Sequence, residues 1–278
     1  MIHRRLIHKK VFVLLSVLAP LAAQAQVAAN ETLRLDTSVA SPWGKPLSPA
    51  MPAGTPMKVT PTALDGPAPL KCTGANHTFI RTSAEGLFEG NLPAPAEESA
   101  KRLGLPEGVI TQRISCSNGS FDVHRAPDGR AWIGLDNAVL LWDRTSIAAS
   151  PEAIVQLLLI QHMSGNMALS RESVASQREW LSARIVEQFD GWFTRTAGND
   201  EVPELNGDPY TDSQESPESF ELSAASVKGN EAEVTVTFRD AADARYPVQY
   251  LLSRVDGTWR VDDLRYRDGE RLSQLLQR

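Results

Sequence analysis

The sequence predicts an α+β protein in two parts: a small β-rich domain with one disulfide, then helices packed on a four-stranded antiparallel sheet. Three observations lead there. Short apolar/polar alternations separated by Gly, Asn and Asp-Gly turns fill residues 71–148. Helical periodicity is concentrated after Ser150, where Ser is a good N-cap and Pro151 suits the first helical position. Clean period-two alternation then resumes to the end of the chain.

The first segment, MIHRRLIHKKVFVLLSVLAPLAAQAQ, has a basic start (Arg4, Arg5, Lys9, Lys10), a short apolar run and the small-x-small pattern Ala23-Gln24-Ala25. That is the grammar of a cleavable leader over residues 1–25, and the run is too short and too broken by Ser16 and Pro20 to span a membrane. The expected location is therefore periplasmic or secreted. These residues hold four of the 28 basic residues and none of the 34 acidic ones, so removing them takes the formal net charge from −6 to −10. A chain of that charge is repelled by nucleic acid and by anionic membrane surfaces.

Residues 26–70 read as a Pro-rich extended lead-in. Eight prolines between 42 and 69 forbid helix, because each lacks an N–H and restricts its predecessor. One strand is expected around Met57 to Val59. Cys72 and Cys116 are the only cysteines, and an even number in an exported chain favours a bridge. It would close a loop of about 45 residues, worth roughly 4 kcal/mol on the chain-entropy model. The competing reading is a metal site with His77 and His124, but the interval from Cys116 to His124 is loose for paired zinc ligands.

Within 71–148, NHTFIRT, VITQRISC, SFDVHRA, RAWIGLD and NAVLLWDR read as strands, and PAEESAKRLGL as a short helix whose Leu103 and Leu105 pack. From residue 150 a first helix carries Ile154, Leu157 and Leu158. A second runs from Arg171 to about Thr194, with Val174, Leu181, Ile185 and Phe189 along one side. The acidic loop GNDEVPELNGDPYTDSQESPES follows, read as solvated. Asp208, Asp212, Glu215 and Glu218 in it lack the spacing of a calcium loop. In EAEVTVTF, Ala232, Val234, Val236 and Phe238 share one face; Val248, Tyr250 and Leu252 mark the next strand, and Trp259 and Val261 the last. Asp262-Asp263 is expected to end that strand in water, with Leu272, Leu275 and Leu276 capping the core.

The run DPYTDSQESPESFELSAASVKGNEAEVTVTF, with VQYLLSRVDGTWRVDDLRY and the leucine-rich end, resembles a family of exported bacterial domains in the cystatin-like α+β group, which includes the nuclear-transport-factor-like folds. The resemblance covers residues 150–278 and implies a curved sheet wrapped on helices, often around a pocket. It implies no activity, since that group hosts isomerases, dehydratases, transport factors and binding modules.

No nucleophile elbow, His-Glu-x-x-His, Walker loop or dinucleotide fingerprint is present. No cofactor is expected. His162, at the end of the first helix, and Tyr210 and Asp263 are the candidates for general acid–base work, set against a helix-end histidine among surface polar groups. Sequons at Asn30, Asn76 and Asn118 are inert in a bacterial envelope. The expectation is a non-enzymatic binding protein, of inhibitor or immunity type, for an envelope protein with a basic surface. An enzyme or small-molecule carrier using a pocket in the 150–278 domain is the alternative.

Overall fold

The computed structural model describes residues 26–165, 167–197, 205 and 207–278. The leader read over residues 1–25 lies outside them. The strands are β1 (Glu31–Ala40), β2 (Pro56–Thr60), β3 (Ala63–Asp65), β4 (Lys71–Thr73), β5 (Asn76–Thr82), β6 (Val109–Cys116), β7 (Gly119–Arg125), β8 (Arg130–Leu135), β9 (Ala138–Ile147), β10 (Ser219–Leu222), β11 (Ser226–Lys228), β12 (Glu231–Arg239), β13 (Arg245–Val255) and β14 (Thr258–Arg265). The helices are α1 (Ala96–Arg102), α2 (Pro151–Ser164), α3 (Arg171–Ser176), α4 (Ala183–Thr196) and α5 (Leu272–Leu275). Among the described residues no helix is long and apolar enough to cross a membrane.

The two-part α+β expectation is overturned at one seam. Among the described residues all 14 strands belong to one sheet, ordered β14-β13-β12-β10-β5-β6-β7-β8-β9-β1-β2-β3-β4, with β11 paired to β12. Strands β12 to β14 do form the expected meander, but β10 pairs β12 with one edge and β5 with the other. Phe220 stands opposite both Phe79 and Phe238, and the Phe79 and Phe220 rings stack with centroids 4.7 Å apart. The antiparallel sheet therefore runs without a break from the disulfide-bearing segment into the C-terminal strands. Alternation along β10 shows which face is buried but not that both edges are paired, so the sequence pattern could not reveal the join.

Beyond β5 the sheet rolls up. Strand β4 ends the order, yet only Gly74 and Ala75 separate it from β5 in the chain. The Cys72–Cys116 disulfide ties β4 to the end of β6 across 6.0 Å between Cα atoms. The His77 ring, on β5, reaches the Thr60 carbonyl at the end of β2, 3.0 Å away. The nine strands from β5 round to β4 thus close on themselves into a barrel-like roll. Residues 26–70, read as a lead-in, supply three of those strands, including the ten-residue β1 that pairs both β2 and β9.

The interior of the roll is continuous with the inner face of β10–β14. Helix α2 lies across both, against β6 as well as β12 and β14. Nine of its 14 residues are buried, including Val155, Leu159, Ile160 and Met163 as well as the expected Leu158, while Ile154 and Leu157 are only half-buried. A helix apolar on every side belongs inside. The second helical stretch is interrupted. Backbone bonds between Val261 and both Trp180 and Ser182 add residues 180–182 to the free edge of β14, and Ser182 then caps α4 by accepting from the Ile185 N–H. On the outer face a smaller cluster of Leu87, Phe88, Leu105, Val109 and Trp132 holds α1 and the irregular segment Ala84–Gly90 against β6 to β9.

Candidate functional site

Two of the three expected site residues meet. The His162 and Tyr210 rings lie with centroids 4.7 Å apart, and Asp208, read from the sequence as solvated, completes the cluster. Its Oδ2 accepts from His162 Nε2 at 2.8 Å and from the Thr211 hydroxyl at 2.7 Å, and its Oδ1 accepts from the Tyr210 N–H at 3.1 Å. Gln177 Nε2, which can only donate, lies 3.0 Å from His162 Nδ1. So the imidazole accepts at Nδ1 and donates at Nε2, and both nitrogens are spent. The ring is 2 % exposed and the Asp208 side chain 9 %.

The loop is clamped from below. Tyr250 donates to the Tyr210 carbonyl at 2.6 Å and Tyr266 to the Pro209 carbonyl at 3.0 Å. Burial drives the phenols of Tyr210, Tyr250 and Tyr266 well above their ordinary pKa, which keeps all three protonated. Gly207 permits the turn: its φ is +130°, and a Cβ there would meet the Ser213 carbonyl oxygen at 2.7 Å. The sequence signal for this loop was Asp-Pro-Tyr-Thr, in which an Asp side chain commonly bonds the backbone two residues on.

Asp263 lies elsewhere, and the expectation that it ends the strand in water is corrected. A register shift opposite Leu251 and Leu252 pairs Leu251 with Asp263 and leaves Asp262 as the extra residue. Asp263 turns inward, 3 % exposed, and accepts from the N–H groups of Leu264 and Ser273 and from the Ser273 hydroxyl, fixing the start of α5. Asp262 points out and meets the Arg184 guanidinium at 2.7 Å and the Ser182 hydroxyl at 2.6 Å. Burial pushes its carboxyl up, but those hydrogen bonds outweigh it and the net shift is downward.

The other two buried histidines are wired into the sheet. In the roll interior His77 Nε2 donates to the Thr60 carbonyl, Gln112 Nε2 donates to His77 Nδ1 at 3.0 Å, and Arg125 Nε donates to Gln112 Oε1 at 2.6 Å. Arg125 forms a buried ion pair with Glu31. On the outer face the Phe88 N–H donates to His124 Nε2 at 3.0 Å, which puts the ring proton on Nδ1, 2.8 Å from the Thr111 hydroxyl. Burial lowers both rings to about 4, so they are neutral at pH 7. The disulfide uses both cysteines, and among the described residues no three His, Cys, Asp or Glu gather as a metal site.

Three hollows among the described residues stand out as open to a ligand. A cavity of about 390 Å³ is lined by Asp208, Arg81, Gly165, Leu169, Ser213 and Glu215. An apolar pocket of about 450 Å³ lies at the end of the roll among Val39, Pro46, Pro49, Met51 and Leu140. The largest, a groove of about 970 Å³, runs between α1, the Ala84–Gly90 segment, the ends of β5 and β6, and residues 216–218. Arg81 and Ser216 line both the groove and the first cavity. The groove walls carry Glu85, Glu97, Glu98, Glu107 and Glu218 against Arg81 and Lys101. Sequence reasoning missed the groove, although the acidic helix AEESAKR and the Pro-Glu-Gly turn supply three of those carboxylates.

Two backbone features set the groove's shape. Phe88, Glu89 and Gly90 have successive positive φ values of 51°, 59° and 78°, held by the His124 contact and by Phe88 packing edge-on to its ring at 4.6 Å. Gly108, at φ +70°, packs so closely on α2 that a Cβ would lie 1.7 Å from the Ser164 carbonyl oxygen. Comparison with protein families, with curated proteins and with solved structures finds no match for this chain.

Proposed function

We propose that this chain is an exported, non-enzymatic binding protein, of inhibitor or immunity type, and that the groove beside α1 is its recognition surface. The groove carries the reading: it is the largest of the three hollows described above, held open by a buried histidine contact and a glycine wedge. A preformed surface loses little conformational entropy on binding. The histidine chemistry supports the same reading. His162, His77 and His124 are all buried with both ring nitrogens engaged, which leaves no ring nitrogen to take a substrate proton. The disulfide fits an oxidising compartment.

A photo-crosslinking amino acid at Lys101 in the groove, compared with one at the exposed Lys228 at the end of β11, tests this in an envelope fraction. A discrete adduct from position 101, competed away by unlabelled protein, is expected. Equal labelling at both positions, or none at 101, removes the groove as the recognition surface. A small-molecule carrier is the second reading, favoured by the cavity of about 390 Å³ beside Asp208.

A further inference from the structure

Resting on the binding-protein reading, we infer that the groove takes an extended cationic segment of a partner protein, with Lys or Arg side chains interleaved with apolar ones. The floor is apolar, formed by Leu87, Leu105, Pro106, Val109 and Pro217. Of the five carboxylates, only Glu98 has an ion-pair partner among the described residues, Arg102 at 3.7 Å. Glu85, Glu97, Glu107 and Glu218 are exposed, and among the described residues the cations along the same walls are Arg81 and Lys101. Carboxylates of one sign along a low-dielectric cleft focus the field and raise the local concentration of a cation.

Lys and Arg side chains fit both surfaces at once. Their methylene stems lie along apolar side chains while the charged heads reach the rim. An acidic occupant would meet uncompensated carboxylates, and like-charge juxtaposition across an interface opposes binding strongly. The volume of about 970 Å³ is near the upper end of single-ligand pockets, roughly 300–1,000 Å³, which leaves room for several residues rather than one ion.

The test is a fluorescence-anisotropy titration of the oxidised protein with a labelled peptide of alternating Lys and Leu, with the matched Glu–Leu peptide alongside and unlabelled spermine as competitor. The Lys–Leu peptide is expected to bind about tenfold or more tighter than the Glu–Leu peptide, and to weaken as salt rises toward ~0.5 M. The triple variant Glu97→Gln, Glu107→Gln, Glu218→Gln changes only exposed side chains; it should keep the native circular dichroism spectrum and lose at least about tenfold in affinity. Equal binding of the two peptides, no binding of either, or an unchanged affinity in the triple variant overturns the inference. Spermine displacing the peptide at equal concentration overturns the peptide assignment in favour of a small polycation. The crosslinking result is separate: a non-basic partner captured at Lys101 would leave the binding-protein reading standing and sink this one.

Discussion

At the scale of single residues, the fold depends on positions whose identity is dictated by contact or by proton bookkeeping. Gly108 and Gly257 both have positive φ, 70° and 79°, yet a Cβ at Gly257 meets nothing within 4 Å whereas one at Gly108 collides with backbone. Gly257→Ala should cost about 1 kcal/mol, the conformational penalty alone. Gly108→Ala should cost at least ~3 kcal/mol, because α2 or the start of β6 must shift. Urea unfolding of the two variants checks the contrast; similar losses would refute it. His77 and His124 are held neutral with pKa values lowered from 6.5 to about 4. The unfolded chain then binds protons that the folded one refuses, so stability is full above about pH 6.5 and falls as the pH drops toward 4. Each ring accounts for on the order of 3 kcal/mol of that loss. A variant such as His124→Gln is expected to flatten the stability profile between pH 6.5 and 4, relative to the parent, by about that amount. A parallel profile would mean that carboxylates alone govern the acid limb.

At the scale of elements, local signals and tertiary partners share the determination. Ser150 and Ser182 cap α2 and α4 as their chemistry allows, but Ser182 also donates to Asp262 at 2.6 Å while its backbone N–H extends the edge of β14. Ser182→Ala should therefore cost about 2 kcal/mol, the upper end for a cap. Ser150→Ala, a cap alone at 3.3 Å, should cost nearer ~1 kcal/mol. Thermal unfolding of both decides it, and the ranking is the claim. The disulfide acts on the roll as a whole element. With its cysteines at a sequence separation of 44, replacing both by Ser should cost roughly 2–5 kcal/mol, read as a shift of the denaturant midpoint under oxidising conditions.

At the scale of the whole molecule, the β5–β10 seam makes the two halves one sheet. Its physical content is an aromatic ladder, Phe79 to Phe220 at 4.7 Å, Phe220 to Phe238 at 6.3 Å and Phe238 to Tyr246 at 5.8 Å, crossing four strands under α2. Phe79→Ala should cost about 3–5 kcal/mol. Because the sheet is continuous, the same variant should lower hydrogen-exchange protection in β12 and β13 together with β6 and β7. Loss confined to β5–β7 would mean that the halves are stabilised separately.

The residues by themselves determined the strands NHTFIRT and VITQRISC, the buried stripe of β12, the pairing of the two cysteines, the Ser150 start of α2 and the closing leucines, because each follows from side-chain period, capping chemistry or simple parity. Those are short-range properties of the chain. Only the tertiary structure decided that β10 has partners on both edges, that the Pro-rich segment rolls into the sheet, that Asp208 and Asp263 turn inward, and that five glutamates from four segments line one groove. Each of these depends on contacts distant in sequence. An exposed and a buried aspartate read alike as letters, and a strand's free edge looks the same as a paired one until its neighbour arrives.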